Sequence, residues 1–155
     1  MSHVHTYSTR CSWAGSTASG YESYDRTHRI SASGQVLTLS SDAAFRGDPS
    51  LLNPEELLVM AASSCQLLAF LAVASRSRID VVSYDDEATG EMPEEEKPMR
   101  LTRILLRPKI VISSEAELSE ERALRMVEIA HRECFIANSL RTPVEIEPKL
   151  VWSGS

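Results

Sequence analysis

Between Leu57 and Ala74 the chain runs for eighteen residues without a charge, and that stretch constrains the fold more than any other. It opens as a helix should. Asn53 is a capping residue type, Pro54 suits the first helical position, and Glu56 stands three residues after the cap, where a capping box needs it. Glu55 and Glu56 also meet the positive end of the helix dipole. Apolar residues then cover every side, so the helix is expected at the centre of a fold, buried all round. Eighteen residues also touch the lower limit for a membrane span. Two serines, a cysteine, a glutamine and five alanines, without flanking basic clusters, favour the buried helix of a soluble protein.

The 155 residues are enough for one domain, 1–155, with a real core. A formal net charge of -6 argues against nucleic acid, which needs a basic face to neutralise phosphates. It argues against an anionic membrane surface too. The first ten residues, MSHVHTYSTR, lack the apolar core of a secretory signal. Three cysteines without dense paired spacing make no disulfide scaffold, so the expected location is the reducing cytoplasm.

Around the central helix the pattern is mostly of strands. Residues 4–13 and 21–30 read as an N-terminal hairpin, and 34–41 as a third strand. Residues 79–92 and 100–113 read as strands joined by the acidic PEEEKP, a solvated hairpin tip. In the second, Thr102, Ile104, Leu106, Ile110 and Ile112 share one face, while Arg103, Arg107 and Lys109 share the other. This predicts a sheet covered on one side and wet on the other. A second helix begins near Ser119, with Ala123, Val127, Ala130 and Cys134 forming one core-facing stripe. FIANSL makes a further turn, and VEIEPKLVW closes the chain as a strand. The order of elements defines an α+β domain.

Two cysteines, Cys65 and Cys134, fall on helices expected to share that core. Each alone reads as a small buried hydrophobe; together they make a dithiol. Without a CxxC motif, a zinc site would have to recruit distant histidines, so neither metal nor organic cofactor is expected. Cys11, between Arg10 and Ser12, is incidental. A reactive thiol must be a thiolate, and in apolar surroundings that requires a neighbouring cation. Arg26, Arg29 and Arg46 are the candidates preceding the helix.

With NPEELL…SSC and, sixty-nine residues after the first cysteine, AHRECFIANSL, the chain resembles the OsmC/Ohr family, the osmotically inducible and organic hydroperoxide resistance proteins. The resemblance covers nearly the whole chain. It implies a curved antiparallel sheet packed on a central helix, in an intertwined homodimer with sites at the subunit interface. The implied activity is thiol-dependent reduction of organic hydroperoxides, with Cys65 as the peroxidatic and Cys134 as the resolving cysteine. Glu55 corresponds to the carboxylate that orients an active-site arginine. Arg46, in the loop before the helix, is the expected arginine of the OsmC branch, and Arg26 that of the Ohr branch. A dithiol reductant, such as a dihydrolipoyl protein, is implied as electron donor. Gln66 departs from the small or aromatic residues the family commonly has beside its first cysteine. Two other readings remain: Cys65 as a transfer nucleophile with His28 or His131 as base, and a non-catalytic dimer binding an apolar ligand.

Overall fold

In the computed structural model, which describes residues 2–154, the chain divides into two compact units, Met1–Leu57 and Leu58–Ser155. The first is built on a three-stranded antiparallel sheet of β1 (Arg10–Ser12), β2 (His28–Ala32) and β3 (Gln35–Leu39). The expected hairpin is present but far shorter than its sequence signal, with all of residues 4–9 and 21–27 outside strands. Ser33 and Gly34 turn β2 into β3, both at positive φ, as a two-residue turn matched to strand twist requires. The chain then passes through a short 3-10 turn, Ala43–Phe45, towards Asn53. Gly47 is fixed there by space: a Cβ would lie 1.6 Å from the Ser41 carbonyl oxygen.

Helix α1 (Pro54–Arg76) starts with the reciprocal cap written in its sequence. The Glu56 amide donates to Asn53 Oδ1 at 2.9 Å, and the Asn53 amide donates to Glu56 Oε2 at 3.2 Å. Its apolar surroundings are one-sided, however. Ala62, Gln66, Phe70, Val73 and Ala74 are buried, whereas Met60, Leu68 and Leu71 on the opposite face are exposed. Burial on all sides is therefore not achieved within a single chain.

In the second unit two three-stranded sheets form, in the orders β4-β7-β9 and β5-β6-β8. Their strands are β4 (Val81–Asp86), β5 (Thr89–Glu91), β6 (Arg103–Leu106), β7 (Pro108–Ile112), β8 (Val144–Ile146) and β9 (Lys149–Trp152). An antiparallel sheet was expected; both sheets are mixed, because β6–β8 and β7–β9 pair in parallel. The physical reason is connectivity. Parallel pairing needs a crossover, and helices α2 (Glu120–Glu133) and α3 (Phe135–Ser139) supply it. The closing segment is accordingly two strands, one in each sheet.

Alternation along β6 and β7 buries Ile104, Leu106, Pro108, Ile110 and Ile112, as the pattern required. Leu105, on the other face, is buried as well, so that face is not uniformly wet. Two cores result. Phe70, Val73 and Ala74 pack with Ile110, Ile112 and the α2 stripe Ala123, Met126, Val127 and Ala130. Ala62 packs with Ile104, Leu106 and Val144, flanked by Ile136 and Ala137 of α3. Asp86 bridges the junction, accepting from Ser63 Oγ of α1 at 2.5 Å and from the Arg107 amide at 2.7 Å.

Candidate functional site

Cys65 lies at about the midpoint of α1. At about 100° per residue, Cys65, Leu68, Ala69, Ala72 and Arg76 form one ridge along the edge of the buried face. That ridge, with Glu133, Phe135 and Asn138, lines a cleft of about 800 Å³. Cys65 is half-buried on this cleft, while Cys134 is 1% exposed behind it.

Cys134 is not central to its helix, as the stripe suggested. It closes α2 and precedes α3, with φ -68 and ψ 111, and its amide donates to the His131 carbonyl at 3.2 Å. The bend aims its side chain inward between the two helices. Burial pushes its thiol up, and the facing Cys65 side chain adds to this through hydrogen bonding and charge. The backbone N–H groups of Ala137 and Ile136 act in the opposite direction, although neither makes a capping hydrogen bond to it. Net, Cys134 is held as a thiol. The structure thus brings the two sequence-chosen cysteines together, one open to the cleft and one shut away.

Two features of this region, an ion pair and a tyrosine, escaped sequence reasoning, and Gln66, noted there, has a setting that the sequence did not show. The cleft ends in an ion pair, Arg76 to Glu133 at 2.8 Å, joining residues too far apart in sequence to be linked by spacing. Tyr84 is half-buried against Phe70, with ring centroids 5.9 Å apart, and its buried hydroxyl has no partner among the described residues. Burial pushes this phenol up, and the charges of Asp86 and Cys134 add to the shift. Gln66 is 1% exposed. Its Nε2 reaches the Val127 carbonyl at a long 3.4 Å, and its Oε1 is unpartnered. The two β4 residues, Tyr84 and Asp86, share a face by period two. They oppose the α1 face of Phe70 and Ser63, between which Gln66 falls.

Arg46 and Glu55 belong to the first unit. Arg46 closes the 3-10 turn in a left-handed conformation, φ 66. Its side chain is 57% exposed and pairs with Glu22 at 2.6 Å. Arg26 is buried instead, its guanidinium 3.8 Å from the Tyr24 ring centroid and 4.8 Å from that of Tyr21. Both of its terminal nitrogens donate to backbone carbonyls, those of Tyr24 and Tyr21. Arg26, Tyr21 and Tyr24 help line a second cavity, of about 510 Å³, with Trp13, Cys11 and His28; Arg46 and Glu55 do not line it. His131 opens on a separate pocket and does not line the Cys65 cleft. No group of three or more metal-ligating side chains occurs among the described residues.

An α+β chain that closes a dithiol beneath an apolar cleft defines a class of cysteine proteins. Residues 47–149 match the OsmC-like protein family, and the chain belongs to it. A relative in Bacillus subtilis (strain 168), the uncharacterized protein YmaD, is 24% identical over 117 residues, 74% of this chain and 78% of its own. An OsmC-like protein of unknown function from Vibrio cholerae superposes with a TM-score of 0.85 at 29% identity, covering 94% of this chain and 99% of that one. An organic hydroperoxide resistance protein from Elizabethkingia anophelis superposes with a TM-score of 0.72 at 17% identity, covering 99% and 100%. That last likeness is one of fold.

Proposed function

We propose that the protein is a cytoplasmic, thiol-dependent peroxidase for organic hydroperoxides, acting as a homodimer. The observation that carries this reading is the pairing of a cleft-facing Cys65 with a buried Cys134 that its side chain faces. The fold it shares with proteins named for organic hydroperoxide resistance supports the same reading. The Cys65 thiolate attacks the distal peroxide oxygen; the O–O bond breaks, the alkoxide leaves and takes a proton as the alcohol, and Cys65 becomes a sulfenic acid. The Cys134 thiol then displaces the hydroxyl, which departs as water with the thiol proton, and an S–S bond forms. An external dithiol, such as a dihydrolipoyl protein, returns both cysteines to thiols. The apolar lining by Leu68, Ala69, Ala72 and Phe135 favours an organic peroxide over hydrogen peroxide.

In this reading the Cys65 thiolate is stabilised by Arg46, oriented by Glu55. The two halves come from different subunits. Glu55 and Cys65 are ten residues apart on one helix, which places their backbones about 15 Å apart along the axis and about 80° apart around it. Glu55 therefore serves the partner's cysteine, and two-fold symmetry creates two equivalent shared sites. The exposed Met60, Leu68 and Leu71 are the face such a partner covers.

The decisive experiment is a thiol count after addition of cumene hydroperoxide. Two thiols per chain should be lost without added mass, Cys65→Ser should abolish turnover, and Cys134→Ser should leave a trappable sulfenic acid. Retained activity in Cys65→Ser sinks the assignment, and an unchanged thiol count favours a non-catalytic ligand binder. Arg46→Ala should move Cys65 alkylation to higher pH; a shift in Arg26→Ala alone transfers the role to the hairpin. Refolding Cys65→Ser together with Glu55→Ala chains should restore activity in mixed dimers, where one site keeps both groups.

A further inference from the structure

We propose that the pocket bounded by the end of α2, α3 and the segment before β8 binds the dianionic head of a small phosphate monoester. The pocket measures about 270 Å³, below the roughly 300–1,000 Å³ of sites for drug-sized ligands. It takes a phosphate carrying only a small organic body.

Its walls are basic in a chain of formal net charge -6. His131, Arg132 and Arg141 all line it, with Asn138 and Thr142. Neither arginine takes part in an ion pair among the described residues, so both charges are open to a ligand, as those of several other arginines of the chain are. His131 Nδ1 is buried without a partner. The Asn138 amide donates to the Arg132 carbonyl at 2.9 Å, which braces α3 against the end of α2.

The plain alternative is that His131 and Arg132 only complement the α2 dipole, since both lie in its last turn. That end carries about half a negative elementary charge, which one cation offsets. Arg141 lies outside α2, and it adds a second full positive charge to the same pocket. Two guanidinium groups match a dianion in charge and in fork geometry, and a monocarboxylate satisfies only one of them. The site is separate from the Cys65 cleft, although Asn138 borders both, and it stands independently of the peroxidase reading.

The test is calorimetry on the full-length reduced protein at constant ionic strength, with inorganic phosphate, glycerol 3-phosphate and acetate as probes. Saturable binding of one phosphate per chain is expected, with acetate at least about tenfold weaker. Tighter binding of glycerol 3-phosphate than of phosphate identifies the monoester as the ligand; equal binding identifies the free ion. Arg132→Gln and Arg141→Gln should each weaken binding by about tenfold or more, as loss of a charge-assisted hydrogen bond does. Arg125→Gln, outside the pocket and paired with Glu121, should not. Three results overturn the proposal: no saturable binding by about 10 mM, the weak edge of specific recognition; acetate as tight as phosphate; or unchanged affinity in Arg141→Gln.

Discussion

The two faces of α1 are equally apolar and differently used. On one, Ala62, Phe70, Val73 and Ala74 are shut into the two cores. On the other, Leu68 is 64% exposed and Met60 and Leu71 are also open. A solvent-facing stripe on a globular helix is normally charged, yet no charge interrupts Leu57–Ala74. The chain's own sheets and α2 therefore cover one apolar face of this helix and leave the other open. Cys65 sits on the seam between the two faces, where a thiol is reachable from a cleft and still flanked by packed side chains.

The largest expected effect separates the faces outright. Phe70 is fully buried, and Phe70→Ala should cost about 3–5 kcal/mol in urea unfolding, the transfer and cavity terms together. Leu68→Ser removes a branched apolar group on the open side, where Leu68 is already 64% exposed. In an isolated chain it should stay within about 0.5 kcal/mol of the parent. Should a second copy cover this face, the same substitution should weaken self-association and make the melting temperature depend more steeply on protein concentration. Sedimentation at two concentrations reads the difference, and equal costs for the two substitutions would erase the distinction between faces.

What was legible in the sequence follows the range of the forces involved. The α1 cap was readable because Asn53 and Glu56 satisfy each other within one turn. The α2 stripe was readable for the same reason: Ala123, Val127 and Ala130 repeat with the helix and meet one core. Strand pairing was not. Whether β8 runs parallel to β6 depends on the path through α2 and α3, which no local pattern encodes. The end of α2 was also hidden, because the helix stops at Cys134 without glycine or proline. Apolarity on all sides of α1 was plain, but composition does not say whose surface covers each side. As for the candidate site, Cys65 and Cys134 were singled out by their helical stretches, although Cys134 closes α2 instead of lying within it, whereas the Arg76–Glu133 pair and the Tyr84 contacts arise only from tertiary folding.

A smaller effect probes the one polar residue on the buried face. Gln66 gains a single long hydrogen bond and leaves Oε1 without a partner, an arrangement that costs about 1–3 kcal/mol for the stranded group. The Val127 carbonyl keeps its intrahelical acceptor role, so Gln66→Leu removes the penalty without creating a new one. Stability should be unchanged or rise by about 1 kcal/mol, measured from the urea midpoint at constant slope. A loss beyond that range would mean that Gln66 is a structural pin between α1 and α2, and not a tolerated polar group beside the thiol.

The smallest effect is a dependence on alkaline pH, and its sign follows from the two groups held protonated under α1. Cys134 and Tyr84 both have folded-state pKa values raised above their ordinary ones, chiefly by burial. Below about pH 8.5, the ordinary thiol value, folded and unfolded chains bind these protons equally, and neither group affects stability. Above it the unfolded chain releases the Cys134 proton while the folded chain retains it. The unfolded state then binds fewer protons, so stability falls as pH rises. Tyr84 adds the same slope beyond about pH 10, the ordinary phenol value. Urea midpoints should therefore be flat across neutrality and decline in two stages above it. Cys134→Ala should remove the first stage and Tyr84→Phe the second, each leaving the other in place. A decline that persists unchanged in both variants would place the alkaline sensitivity outside this core, and the buried face of α1 would lose its role as the protonated side of the comparison.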